Sequence, residues 1–267
     1  MKKSGFTLAE VLITLGIIGV VAALTAPALV MSSRNEANAA KLSVVMSNLE
    51  NAFTNMLVSE GVDNLFQTRL WQNAGNKAAF AGNLGRYMHI NGFRDLAGEA
   101  GITTYYSNNN QPRGLNASGA RDETKDLTFF LSQAAVGGIG VSHIIETKNG
   151  ATIFIHPNEN QNPTQAEKDA ITNQGGSLYN MAADLYIDVN GVTSPNTLGR
   201  DIFAFYLGDN GILYPLGGLD VSIIDGAGQD NLWNSASAGN KCCLDGNIDW
   251  EYGCTARVIA EGYKMNY

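Results

Sequence analysis

The hydrophobic pattern divides the chain into an apolar opening, an amphipathic continuation and a mixed remainder. Val11 to Met31 is almost continuously apolar and uncharged, and Glu10 stands at its threshold. At about 1.5 Å per residue, these roughly 21 positions form a helix long enough to cross the hydrocarbon core of a bilayer. After Met31 the chain turns polar without a break. Leu42, Val45/Met46, Leu49, Phe53 and Met56/Leu57 then recur at three-to-four spacing, the stripe of a helix with one buried face. Gly61 is a suitable stop. The pattern predicts one helix from Phe6 to Glu60, roughly 80 Å long. Its first half is apolar on all sides and its second half on one. Pro27 lacks an amide donor and is expected to bend or locally open the helix.

From Asn64 to Ile90 the apolar residues Leu65, Leu70, Trp71, Ala78, Phe80, Leu84, Tyr87 and Met88 predict one or two short helices. Ser107 to Asp122 reads as a polar loop. Residues 142–148 and 151–156 flank Asn149-Gly150, a strong two-residue hairpin signal. Thr164 and Glu167 form a capping box that opens a short helix. Asp184 to Val189 reads as a strand. Asp201 to Leu207 and Ile212 to Pro215 flank a second tight turn, Gly208 to Gly211. These segments predict four or five antiparallel strands, and the lack of βαβ alternation disfavours a doubly wound fold. The tail from Cys254 to Tyr263 suggests a closing strand. The expected class is α+β, a long N-terminal helix packed on a four- to five-stranded antiparallel sheet.

Composition narrows the function classes. The chain has 267 residues, 45% of them apolar, so it can bury a substantial core. Its net charge is −8, and its 17 basic residues are scattered, which disfavours nucleic-acid binding. Thirty glycines suit turns and antiparallel strands. His89, His143 and His156 are far apart, and nucleophile-elbow, zincin and P-loop motifs are absent. Gly137-Gly-Ile-Gly140 lacks the later glycine of a dinucleotide fingerprint. A non-enzymatic role without a cofactor is expected. The cysteines, Cys242, Cys243 and Cys254, lie close together and lack zinc-site spacing. In an exported domain this spacing favours a disulfide from Cys254 to Cys243, or to Cys242 instead. Closing a loop of about a dozen residues contributes roughly 3 kcal/mol. The alternative is three reduced core cysteines.

The N-terminus admits three readings. Lys2 and Lys3 before an apolar run, with Ala26-Pro27-Ala28 as a small-x-small site, fit an ordinary secretory signal on an exported ligand-binding or enzymatic domain. Glu10 and the unbroken run oppose that reading. A plain signal anchor accommodates the length but leaves Glu10 unexplained. The stretch Lys2-Lys3-Ser4-Gly5-Phe6-Thr7-Leu8-Ala9-Glu10 closely resembles the leader of type IV pilins and type II secretion pseudopilins. The resemblance implies that prepilin peptidase cuts after Gly5 and that Phe6 becomes the N-methylated terminus. It also implies that Glu10 is the assembly residue and that Pro27 is a helix kink. Cleavage frees an α-amine that titrates near pH ~8, so it is mostly cationic at neutral pH. In a stack of helices Glu10 can reach the Phe6 amine of a neighbour, which favours one register.

The resemblance further implies a leader at 1–5, a transmembrane and assembly helix at 6–31, its amphipathic continuation at 32–61, and a pilin-like globular domain at 62–267. It implies a single pass through the cytoplasmic membrane with the N-terminus inside and the domain periplasmic or extracellular. The partners would be other pilin or pseudopilin subunits in a pilus or pseudopilus. Asp188-Val-Asn-Gly…Pro195-Asn…Gly199-Arg-Asp201-Ile-Phe also resembles segments that follow a sheet strand in that family. Asp188, Asn190 and Asp201 offer oxygen ligands there, and some major pseudopilins bind calcium in this part of the fold. In turns, however, Asp and Asn more often bond their own backbone.

Overall fold

The computed structural model describes residues 7–94, 98–107, 110–115, 121–128, 131, 143–157, 181–215, 255, 258–259, 261–263 and 265. Helix α1 runs from Leu8 to Glu60. It ends where Gly61 turns left-handed (φ 65°) and its N–H bonds the Leu57 and Val58 carbonyls. A side chain resists that φ, so glycine makes this stop inexpensive. Pro27 lies inside this helix, which is continuous from Leu8 to Glu60.

The two halves of α1 differ as the pattern predicts. From Thr7 to Arg34 every residue with a described side chain is exposed, and the first buried position is Ala39. Leu42, Val45, Leu49, Phe53 and Met56 are then buried in succession. A short 3-10 turn at Leu65–Gln67 follows, with helices α2 (Arg69–Gln72) and α3 (Lys77–Leu84). Asn64, Thr68 and Asn76 cap them with side-chain oxygens. Helix α4 spans Gly98–Tyr106.

The strands are β1 (Ile90–Arg94), β2 (Arg113–Leu115), β3 (Arg121–Asp126), β4 (His143–Thr147), β5 (Thr152–Pro157), β6 (Met181–Asp188), β7 (Ile202–Gly208) and β8 (Leu213–Pro215). Six of them form one antiparallel sheet in the order β1-β4-β5-β6-β7-β8, and β2 pairs with β3 separately. The sheet therefore exceeds the expected four or five strands. The addition is β1, an exposed edge whose Asn91-Gly92 reads as a turn. Part of the expected polar loop at Ser107 to Asp122 is instead strand, in β2 and the start of β3. The expected closing strand is also corrected, since Thr255, Val258 and Ile259 are helical. The three cysteines and the Thr164–Glu167 capping box lie outside the described residues.

Both faces of the sheet are covered. Ile145, Ile153, Ile155, Leu185, Ile187, Phe203 and Phe205 join the buried face of α1 in one cluster. The alternate positions Ile144, Phe154, Tyr186 and Ala204 pack with Ile102 and Tyr106 of α4 in a second. Two-sided burial explains why β5 is buried at every position and shows no hydrophobic alternation.

Strand β7 climbs alongside α1. Near its start Asn38 Nδ2 donates to the Arg200 carbonyl at 3.1 Å. Beyond its end, a Cβ on Gly211 would stand 3.0 Å from Phe53 Cβ. Fifteen helical residues rise about 22 Å, which matches about 23 Å for a seven-residue strand. The β6–β7 connection therefore lies at the end of the sheet nearest the apolar half of α1.

Candidate functional site

The N-terminal site is built on the first turn of α1. Thr7 is the N-cap, with extended backbone and its hydroxyl accepting from the Glu10 amide at 3.3 Å. Glu10 Oε2 accepts in return from the Thr7 amide at 2.8 Å and from the Thr7 hydroxyl at 2.9 Å. This reciprocal capping box satisfies helix-end donors and places a negative charge at the positive end of the helix dipole. The pattern Thr7-x-x-Glu10 is legible in the sequence, although the resemblance implies for Glu10 only a contact between subunits. Both contacts at the carboxylate, and the amide bond to the Thr7 hydroxyl, use chain atoms that survive a cut after Gly5. Gly5 and Phe6 themselves lie outside the described residues. Among the described residues, α1 is the one helix long and apolar enough to cross a membrane, and none of its apolar window is buried against the chain.

A second cluster gathers the three predicted oxygen ligands. Asp188 ends β6 and Asp201 precedes β7, and both are fully buried. Asp188 accepts from the Tyr106 hydroxyl at 2.7 Å and from the Asn190 amide at 3.1 Å. Asn190 Nδ2 donates to Asp201 Oδ2 at 3.0 Å, and the Thr197 amide donates to Asp201 Oδ1. Burial and then the neighbouring Asp201 charge push the Asp188 carboxyl well up. Burial pushes Asp201 up to about 6, against the lowering effect of its hydrogen bonds. Every carboxylate oxygen is thus engaged by the chain itself, the self-bonding arrangement typical of Asp and Asn in turns. A calcium ion here would have to displace the Tyr106 hydroxyl and the Asn190 amide. Among the described residues no three His, Cys, Asp or Glu side chains converge. Tyr106 joins this cluster from 82 positions away, which no local signal reveals.

Arg121 braces the same region by donating to the Asn196 carbonyl at 3.0 Å and the Gln111 carbonyl at 2.7 Å. The histidines remain separate. His143 Nε2 pairs with the Ala74 carbonyl at 2.8 Å, and His156 Nε2 with the Leu131 carbonyl at 3.0 Å. Burial pulls each down to about 4, so both are neutral at pH 7. His89 is exposed beside a groove of about 340 Å³ bordered by Val44, Asn48 and Met88.

Among protein families, the model of the prokaryotic N-terminal methylation motif matches residues 1–26. No curated protein and no solved structure matches the chain. The matched stretch contains Gly5, Phe6 and the Thr7–Glu10 box and ends just before Pro27. The chain carries the prokaryotic N-terminal methylation motif, the prepilin-type signal of type IV pilins and pseudopilins, at its N-terminus.

Proposed function

We propose that this protein is a structural filament subunit, inserted once in the cytoplasmic membrane and cut by prepilin peptidase after Gly5. Phe6 becomes its N-methylated terminus, and α1 carries it into a type IV pilus or type II secretion pseudopilus. The observation that supports this reading is a coincidence. The methylation motif at residues 1–26 opens a helix whose apolar half is not buried by any of the described residues. Such a surface needs lipid or other helices around it. The membrane supplies the first, and neighbouring subunits of the same design supply the second.

Glu10 has a role in each state. In the lone subunit it caps its own helix through Oε2. In the filament it faces the Phe6 amine of a neighbour. A carboxylate among apolar helices is strongly disfavoured unless paired, so the pair selects one axial register. The expected outcome for Glu10→Ala is normal insertion and cleavage with loss of co-assembly, read by shearing or filament pull-down. Normal incorporation of that variant overturns the role. An ordinary secretory cut at Ala28 would sever α1, which continues unbroken from Leu8 to Glu60.

A further inference from the structure

The β6–β7 connection occupies a defined height along α1. Its Arg200 carbonyl is tied to Asn38, and β7 climbs from there toward Phe53. Asn38 lies seven positions after Met31, about 10 Å farther along the helix. The headgroup layer of a bilayer is about 5 to 8 Å thick on each side. With the apolar run seated in hydrocarbon, the connection comes to the outer edge of the headgroups. Exposed Arg34 lies one turn below Asn38, inside that layer.

The exposed tip of this loop is Val192, Thr193 and Ser194. It is uncharged, it offers two hydroxyls for phosphate and ester oxygens, and Val192 is 47% exposed. The loop behind it is held on all sides. Asn110 Nδ2 donates to the Val192 carbonyl, and Asn196 Nδ2 donates to the Asn110 carbonyl at 2.9 Å. Arg121 holds the Asn196 carbonyl, and the Asp188–Asn190–Asp201 network closes the base.

We propose that residues 189–200 form a membrane-facing foot that rests on the phospholipid headgroup layer while α1 is inserted. The foot fixes the height and orientation of the globular body before assembly, and the buried network keeps it stiff. The proposal rests on the membrane reading of α1. Its test uses the full chain in phosphatidylethanolamine–phosphatidylglycerol vesicles containing a lipid with a nitroxide on its headgroup. A fluorescent amino acid is placed at Thr193 or, as the distal reference, at exposed Val58. Flotation and resistance to carbonate extraction are scored on the same samples. The expected result is a floated, carbonate-resistant chain with at least five-fold stronger quenching at Thr193 than at Val58. Equal quenching at both sites in such a chain overturns the foot and leaves the membrane reading intact. A chain that carbonate strips from the vesicles overturns both. Quenching at Thr193 that disappears on dilution with unlabelled chain reassigns the loop to a contact between copies and overturns the lipid proposal.

Discussion

Substituting Asp201→Asn should stabilise the folded body at neutral pH and have little effect in acid. Asp201 is buried beside Asp188, and burial raises its folded pKa to about 6 from an ordinary value of 3.8. A raised carboxyl contributes stability that is fully present below 3.8 and is lost as pH rises through 6. The shift of about 2.2 pH units corresponds to about 3 kcal/mol at 1.36 kcal/mol per unit. Asparagine does not titrate and keeps an oxygen for the Thr197 amide. Its new NH₂ replaces the oxygen that accepts from Asn190 Nδ2, so the Asn190 amide must flip to present its unpartnered Oδ1 to it. Urea unfolding of the detergent-solubilised chain, followed by tryptophan fluorescence, measures the difference at pH 7 and pH 4. The variant should gain up to about 3 kcal/mol at pH 7 relative to its effect at pH 4. An equal effect at both values would show that the Asp201 carboxyl is not raised in the folded state. It would mean that the hydrogen bonds hold Asp201 ionised without strain.

Two further outcomes follow from the same core. His143 and His156 have folded values of about 4 against 6.5 unfolded, so their contribution is present above 6.5 and is lost as pH falls toward 4. His156→Asn should flatten the acid limb of the stability profile by up to about 3 kcal/mol, and an unchanged limb counts against a neutral buried imidazole. Gly211→Ala should cost about 2 to 4 kcal/mol in thermal or urea unfolding, because φ is +82° and the new methyl meets Phe53 Cβ at 3.0 Å. A loss below about 0.5 kcal/mol would show that the turn does not press on α1.

The parts legible in the sequence are those whose physics is local. The stripe from Leu42 to Leu57 and the stop at Gly61 define the packed half of α1, since helix periodicity and a left-handed cap are short-range features. Asn149-Gly150 places the β4–β5 hairpin, with β5 one residue displaced from expectation. Strand β3, Arg-Asp-Glu-Thr-Lys-Asp, has no apolar pattern at all. Ion pairs from Arg113 to Asp126 at 2.7 Å and Arg121 to Glu123 at 2.6 Å accompany its pairing with β2. Strand β1 hides behind an Asn-Gly that normally marks a turn. At the sites, Gly5, Phe6 and Glu10 stand out because the peptidase signal is a linear stretch. The Asp188–Asp201 pair is visible as a spacing, whereas Tyr106 is brought to it only by the packing of α4 against the sheet.

In the proposed reading, the opening stretch is first of all a processing site. The mass of the mature N-terminal peptide from membranes of cells with an active prepilin peptidase tests it most directly. A processing site here yields a mature chain that begins at Phe6 and carries one methyl group on its amine. A mature chain that begins at Leu29, or one that retains Met1 to Gly5, contradicts it.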